Sequence, residues 1–160
     1  MEFSMDLQSI INRLRAVFIK PDRFDYLKKF PILDGFSRHE LFLLSQILQE
    51  RKFMAGEIVY DAQYPLAVIY LIAGGSIEIV EGDNELQKNV VLHKHQFLGI
   101  IDMYNENRRK GIARAVKDST LLAVSHLDFQ AFIKANPKTG VKLLNNICAA
   151  LSHYIVNQSF

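Results

Sequence analysis

Cysteine is nearly absent from this 160-residue chain, and its one representative, Cys148, has no second thiol to pair with. An intramolecular disulfide is excluded, and a zinc site built on thiolates would lack partners. Long apolar runs are missing as well. The longest, "LAVIYLIA" at 66–73, has eight residues, against the roughly 20 that a membrane-spanning helix requires. The N-terminus "MEFSMDLQ" carries acids where a secretory leader is basic. These absences predict a cytoplasmic protein without a membrane partner. Nor does one sign of charge dominate: 19 Lys+Arg against 17 Asp+Glu leave +2, too little to mark a nucleic-acid binder by itself. Internal repeats, low-complexity tracts and linkers are also lacking. With 49% hydrophobic residues, the chain suits one domain over 1–160 with a sizeable core.

What is present separates into helical and β signals. Leu7, Ile10, Ile11, Leu14, Val17 and Phe18 repeat with a helical period and predict an amphipathic helix over 6–19. Phe36-Ser37-x-x-Glu40-Leu41 supplies an N-cap, a capping-box acid and a hydrophobic staple for a helix running to about Glu50. From there to Ser125 the chain turns to short, β-branched runs punctuated by glycine: "GEIVY", "AVIYLIAG", "GSIEIVEG", "NVVLHKHQFLG", "GIARAV" and "TLLAVS". Ser125-x-x-Asp128 caps a helix to about Ala135, and Asn136-Pro137 starts the last one. The expected class is α+β: N-terminal helices over 1–50, a β-jelly-roll barrel over 51–125, and helices over 126–160 ending in a long C-terminal helix.

That last helix, about 137–157, has two apolar stripes. Val141, Leu144, Cys148, Leu151 and Ile155 follow a 3-4-3-4 spacing, and Leu143, Ile147, Ala150 and Tyr154 form a second stripe roughly 100° away. One arrangement lays both stripes in a single groove of the β-domain. The other packs one stripe on the domain and uses Val141, Leu144, Cys148, Leu151 and Ile155 as the interface of a homodimer, which is the arrangement favoured.

The stretch "QFLGIIDMYNENRRKGIARA" at 96–115 combines a turn glycine, a polar loop and Arg108-Arg109-Lys110 before a β-like run. Taken alone it is either an anion pocket or a solvated basic corner. Its surroundings narrow the choice. "LKKFPILDGFSRHELFLLSQILQERKFMAGEIVY" and "VIYLIAGGSIEIV" resemble the entry and central hairpin of cyclic-nucleotide-binding domains, as found in catabolite activators and regulatory subunits of protein kinase A. The resemblance covers roughly 24–157. Phe97-Leu98-Gly99-Ile100 then matches the F-G-E of that family's phosphate-binding cassette with the acid replaced, and Arg109-Lys110-Gly111 matches its arginine tripeptide.

The resemblance implies a non-catalytic regulatory module whose ligand is a cyclic nucleotide, cAMP or cGMP, with the terminal helix covering the pocket and passing on the signal to a protein partner not yet identified. Gly99, Ile100, Ile101, Arg109, Lys110 and Gly111 are the expected ligand-binding residues. A guanidinium and backbone N–H groups after the turn glycine suit a phosphate, so Arg109 and the backbone after Gly99 retain those two roles. Ile100 cannot accept from a ribose hydroxyl. The missing charge-assisted bond, about 1.5–3 kcal/mol, predicts an affinity about 10- to 150-fold below a complete pocket, and an acid at position 100 is expected to restore it. Asp102 or Glu106 replacing that acid is the less favoured alternative. Lys110 and Gly111 depart from the family's small polar residue and alanine, and "YDAQYP" lacks its glycine-acid turn. The chain stops soon after the last helix, which predicts a stand-alone domain without a helix-turn-helix and without direct DNA binding. The alternative is a degenerate interaction or dimerisation module.

An enzyme fits less well. His93-x-His95 resembles the first metal motif of cupin barrels, but Gly99 and Ile100 stand where the acid ligand belongs, and His126 is the one plausible third ligand. Neither a Walker loop nor a clear Ser/His/Asp grouping is evident. No metal, cofactor or catalytic residue is expected.

Overall fold

Ser37 and Glu40 form the capping box that their spacing predicts: Ser37 Oγ accepts from the Glu40 N–H at 3.3 Å, and Glu40 Oε2 accepts from the Ser37 N–H at 2.7 Å. Both staple residues, Phe36 and Leu41, are buried. They belong to a computed structural model in which residues 23–62, 68–81, 88–100 and 111–158 are described. The helix expected over 6–19 lies outside the described residues. Helix α1 is Arg23–Leu27, a 3-10 turn follows at Pro31–Leu33, and α2 is Arg38–Ser45. Strands β1 to β8 are Gln49–Phe53, Ile58–Tyr60, Val68–Gly74, Ser76–Glu81, Lys88–His93, Phe97–Leu98, Gly111–Ala115 and Ser119–Ser125. Helices α3 (His126–Ala135) and α4 (Pro137–Gln158) close the order.

Helix α2 ends at Ser45, short of the expected Glu50, because Gln49–Phe53 pairs with β8 from Gln49↔Ala123 to Phe53↔Ser119. The polar "QERKF" carries no apolar alternation to announce a strand. It lies at a sheet edge and is exposed along most of its length, so backbone pairing rather than side-chain burial defines it.

The strands form two antiparallel four-stranded sheets, β1-β8-β3-β6 (sheet 1) and β2-β7-β4-β5 (sheet 2). They are not closed into one cylinder, so the expected jelly-roll barrel is corrected to two separate sheets. Closure needs continuous pairing around the circumference. Here β6 has two residues and the three-residue β2 suffers a register shift against β7, leaving edges too short or irregular to join. The chain changes sheet through turns, at Gly74-Gly75 and between Ala115 and Ser119.

The central strands of sheet 1, β3 and β8, are buried on both faces. Tyr70, Ile72, Leu98, Leu121 and Ala123 meet Ile77, Ala113 and Ala115 of sheet 2, while Ile69, Leu71, Leu122 and Val124 meet the helices through Leu27, Phe30, Leu41, Phe129 and Leu143. Alternate residues of β3 and β8 therefore serve two cores, which explains their unbroken apolar runs. Sheet 2 has one wet face: Ile77 is buried, and its neighbour Glu78 accepts from Asn89 Nδ2 at 3.2 Å.

The terminal helix is held to the N-terminal block by polar contacts from its first half. Glu40 receives Lys142 Nζ at 2.8 and 2.9 Å and Thr139 Oγ1 at 3.0 Å. Lys142 also donates to the Gly35 carbonyl at 2.9 Å, and Asn146 Nδ2 donates to the carbonyls of Ile32 and Asp34. The ammonium of Lys142, aided by the Ser37 and Thr139 donors, outweighs the opposing effect of burial and holds the Glu40 carboxyl at about 2. A carboxylate depressed in this way stabilises the fold above its ordinary range, and that contribution is lost as pH falls from about 4.5 towards 2.

Two outcomes follow for stability. Glu40→Gln should lower the unfolding free energy at pH 7 by about 1–2 kcal/mol and flatten the loss between pH 4.5 and 2.5, as read from urea titrations at several pH values; wild-type stability in the variant would mean the contact contributes nothing. Gly75 has φ +87°, and a Cβ there would overlap Ser119 Oγ and lie 2.6 Å from Ser119 Cα, whereas Gly56, at φ +85°, faces open space. Gly75→Ala should therefore cost at least about 2 kcal/mol more than Gly56→Ala, which carries the left-handed backbone penalty alone, about 1–2 kcal/mol; equal melting of the two variants would contradict the overlap.

Candidate functional site

The cassette begins at a turn fastened to β3. His95 N–H donates to the Ile72 carbonyl at 2.8 Å, Ile72 N–H donates to the Gln96 carbonyl at 2.9 Å, and Gln96 Oε1 accepts from the His93 N–H at 2.6 Å. Beyond it, Phe97 packs towards the helix-side core and Leu98 towards sheet 2. Gly99 follows with φ +92°, a conformation favouring glycine. The chain leaves sheet 1 after β6 and rejoins at Gly111, where β7 starts in sheet 2 with Gly111 opposite Glu81. The segment between thus connects sheet 1 to sheet 2 in the chain.

Three of the six expected ligand residues are described: Gly99, Ile100 and Gly111, all buried. Ile101, Arg109 and Lys110, with Arg108, Asp102 and Glu106, lie outside the described residues. Ile100 is 1% exposed and belongs to the helix-side cluster with Leu27, Phe30 and Phe36. Its side chain is a core component, which changes what a carboxylate at position 100 would do: an acid there would be desolvated among apolar groups.

A hollow of about 400 Å³ opens on the helix side of sheet 1, lined by Tyr26, Leu27, Glu50, Ala73, Gly74, Thr120 and Leu122. None of Gly99, Ile100 or Gly111 lines it. Burial, and secondarily the charge of Glu50, pushes the Tyr26 phenol up to about 12, so it remains a neutral donor. Neither Tyr26 nor the Glu40–Lys142 contact was singled out in the sequence as a functional feature, since both depend on pairings between distant segments.

The histidines do not assemble. His126 Nε2 lies 2.9 Å from Gln130 Nε2, while His95 packs edge-on against Phe30, with ring centroids 5.4 Å apart. Among the described residues no group of three or more His, Cys, Asp or Glu is placed to hold a metal ion, and no helix is long and apolar enough to cross a membrane.

In α4, Leu143 and Ile147 are buried and Ala150 packs against the helix-side core, as the second stripe implies. Of the first stripe, Val141 is 59% and Ile155 61% exposed, Cys148 is exposed, and Leu144 and Leu151 are half-buried. From Val141 to Gln158 a single Lys, Arg, Asp or Glu occurs, Lys142, and it is engaged by Glu40.

Comparison with known proteins agrees with this arrangement. A cyclic nucleotide-binding domain from Methylobacillus flagellatus superposes with a TM-score of 0.74 at 16% identity, over 82% of this chain and 79% of that one. The catabolite activator protein of Thermus thermophilus gives 0.69 at 22% identity, over 81% and 60%. In sequence, the chain is 26% identical over 115 residues to the "Putative potassium channel protein" of Rhodopseudomonas palustris, a match that spans 72% of this chain and 28% of that protein. The family model of the cyclic nucleotide-binding domain matches residues 50–136, from β1 through the cassette and the end of α3. With more than half of its length matched and the two-sheet fold shared, the chain belongs to the cyclic nucleotide-binding domain family.

Proposed function

We propose that this regulatory module binds cyclic nucleotides weakly, with a pocket that keeps the phosphate half of the cradle and lacks the ribose acceptor. The observation that carries the reading is Ile100: in the register of the family's acid, the chain places a residue that completes its own core. Arg109 is the phosphate ligand and the backbone after Gly99 the anion donor, with Ile101, Lys110 and Gly111 flanking them. Ligand binding repositions α4, whose exposed, uncharged face then acts on a second copy or on a downstream protein. The second reading, an interaction module that has lost its nucleotide, is favoured by that same face, since a half-exposed apolar stripe suits a protein surface.

Calorimetry with cAMP and cGMP should show affinity about 10- to 150-fold weaker than for a complete pocket, and Arg109→Ala should abolish the binding with little change in melting temperature. Unaltered affinity in the variant would remove Arg109 from the site; no heat with either nucleotide, or with a wider panel, would favour the second reading. Ile100→Glu should lower the melting temperature instead of restoring affinity, because the new carboxylate enters the helix-side core; a stable variant with tightened binding would show that this side chain reaches the ligand.

Homodimerisation through Val141, Leu144, Cys148, Leu151 and Ile155 is tested best at an exposed position, because Leu151 also packs on its own domain. Cys148→Glu should raise the dimer dissociation constant at least about tenfold, by placing like charges across the seam, while leaving thermal unfolding of the monomer unchanged. Sedimentation of the wild type as a monomer at high micromolar concentration would end the dimer proposal.

A further inference from the structure

The turn that leads into the cassette rests on the N-terminal helical block through one side chain whose chemistry does not match its surroundings. His95 adopts φ +72°, a left-handed conformation costly for a residue with a Cβ. Its ring lies 5.4 Å from Phe30, edge to face, and 6.2 Å from Tyr26. Its Nε2 is buried without a hydrogen-bond partner, and so is the hydroxyl oxygen of Tyr26. The two groups could serve as donor and acceptor to each other, yet neither has a hydrogen-bond partner. A neutral imidazole tolerates such a niche at the cost of an unmade bond. An imidazolium does not, because it brings a charge and a second N–H donor into the same apolar contact.

The charged groups facing His95 reinforce the mismatch. Lys94 on its own turn and Lys29 on the helical block are both cationic, and they add to burial in holding the ring neutral, below its ordinary range. Glu50 of β1 acts on Tyr26, whose neutral phenol supplies no countercharge.

We infer that His95 is the titrating element of a pH-sensitive lock that holds the block containing Tyr26 and Phe30 on the cassette turn. The docked arrangement requires a neutral ring. Its contribution is complete above the ordinary histidine range, near 6.5, and is lost as pH falls from there towards the lowered value of the docked state. Release frees both orphaned atoms to meet water and lets the left-handed turn relax, so the protonated form favours the undocked arrangement. The lock stands apart from nucleotide binding, and its readout needs no ligand. It is separate from Glu40, which responds only below about 4.5.

The test is amide hydrogen exchange on the full chain at several pH values from 7.5 to 5.5, corrected for intrinsic rates. Protection over 24–36 and 93–99 should fall relative to β4 and β8 by up to about tenfold per pH unit below 6.5, the limit for one proton. His95→Asn tolerates the left-handed backbone and does not titrate, so its profile should be flat, whereas His93→Asn should behave as the wild type. Should His95→Asn fold poorly, Lys29→Gln with Lys94→Gln removes two exposed cations that hold the docked ring neutral, so the total loss should shrink and level off at a higher pH. A wild-type profile without differential loss, the same loss in His95→Asn, or an undiminished loss in the double variant would each overturn the proposal.

Discussion

Burial of β3 and β8, the central strands of sheet 1, on both faces is the constraint from which the rest of the structure follows. Because β3 and β8 pair along Val68–Gly74, successive side chains point alternately at sheet 2 and at the helices. Each apolar side chain so buried contributes about 1.5–3 kcal/mol, so the two central strands anchor both layers at once. The helices are consequently part of the core, and a displacement of the N-terminal block or of α4 disturbs the face of sheet 1 that carries Leu71 and Leu122.

The cassette is a connection from sheet 1 to sheet 2. It leaves sheet 1 at Gly99 and enters sheet 2 at Gly111, so any group that draws its ends together acts on both sheets. Ile100 sits at its start and fills the helix-side core. The burial of that side chain contributes about 1.5–3 kcal/mol to the fold. Position 100 thus contributes to the packed state of the protein, whatever the neighbouring loop binds.

Polar contacts divide α4 into two parts. Thr139, Lys142 and Asn146 tie its first half to Glu40, Gly35, Ile32 and Asp34, while beyond Ile147 the helix is attached through partly buried apolar side chains. The first half is anchored to the N-terminal block, and the outer half carries the exposed, uncharged stripe.

The sequence by itself determined what depends on local chemistry. The capping box at Ser37 and Glu40, the cap at Ser125, the proline start of α4 and the strand runs from Ile58 to Ser125 are legible because caps, turns and side-chain alternation act over a few residues. The resemblance through "VIYLIAGG" and the cassette was legible for the same reason, as a string of short elements in order. Tertiary structure alone decided that the strands form two unclosed sheets, since edge pairing depends on how short β6 and irregular β2 prove to be once twisted into place. It decided that "QERKF" is a strand, because backbone pairing with β8 replaced the missing apolar signal. It also made Ile100 a core residue, brought Glu40 to Lys142 across 102 positions, and set His95 against Phe30 and Tyr26, for burial and long-range contact are properties of neighbours that the chain supplies from distant segments.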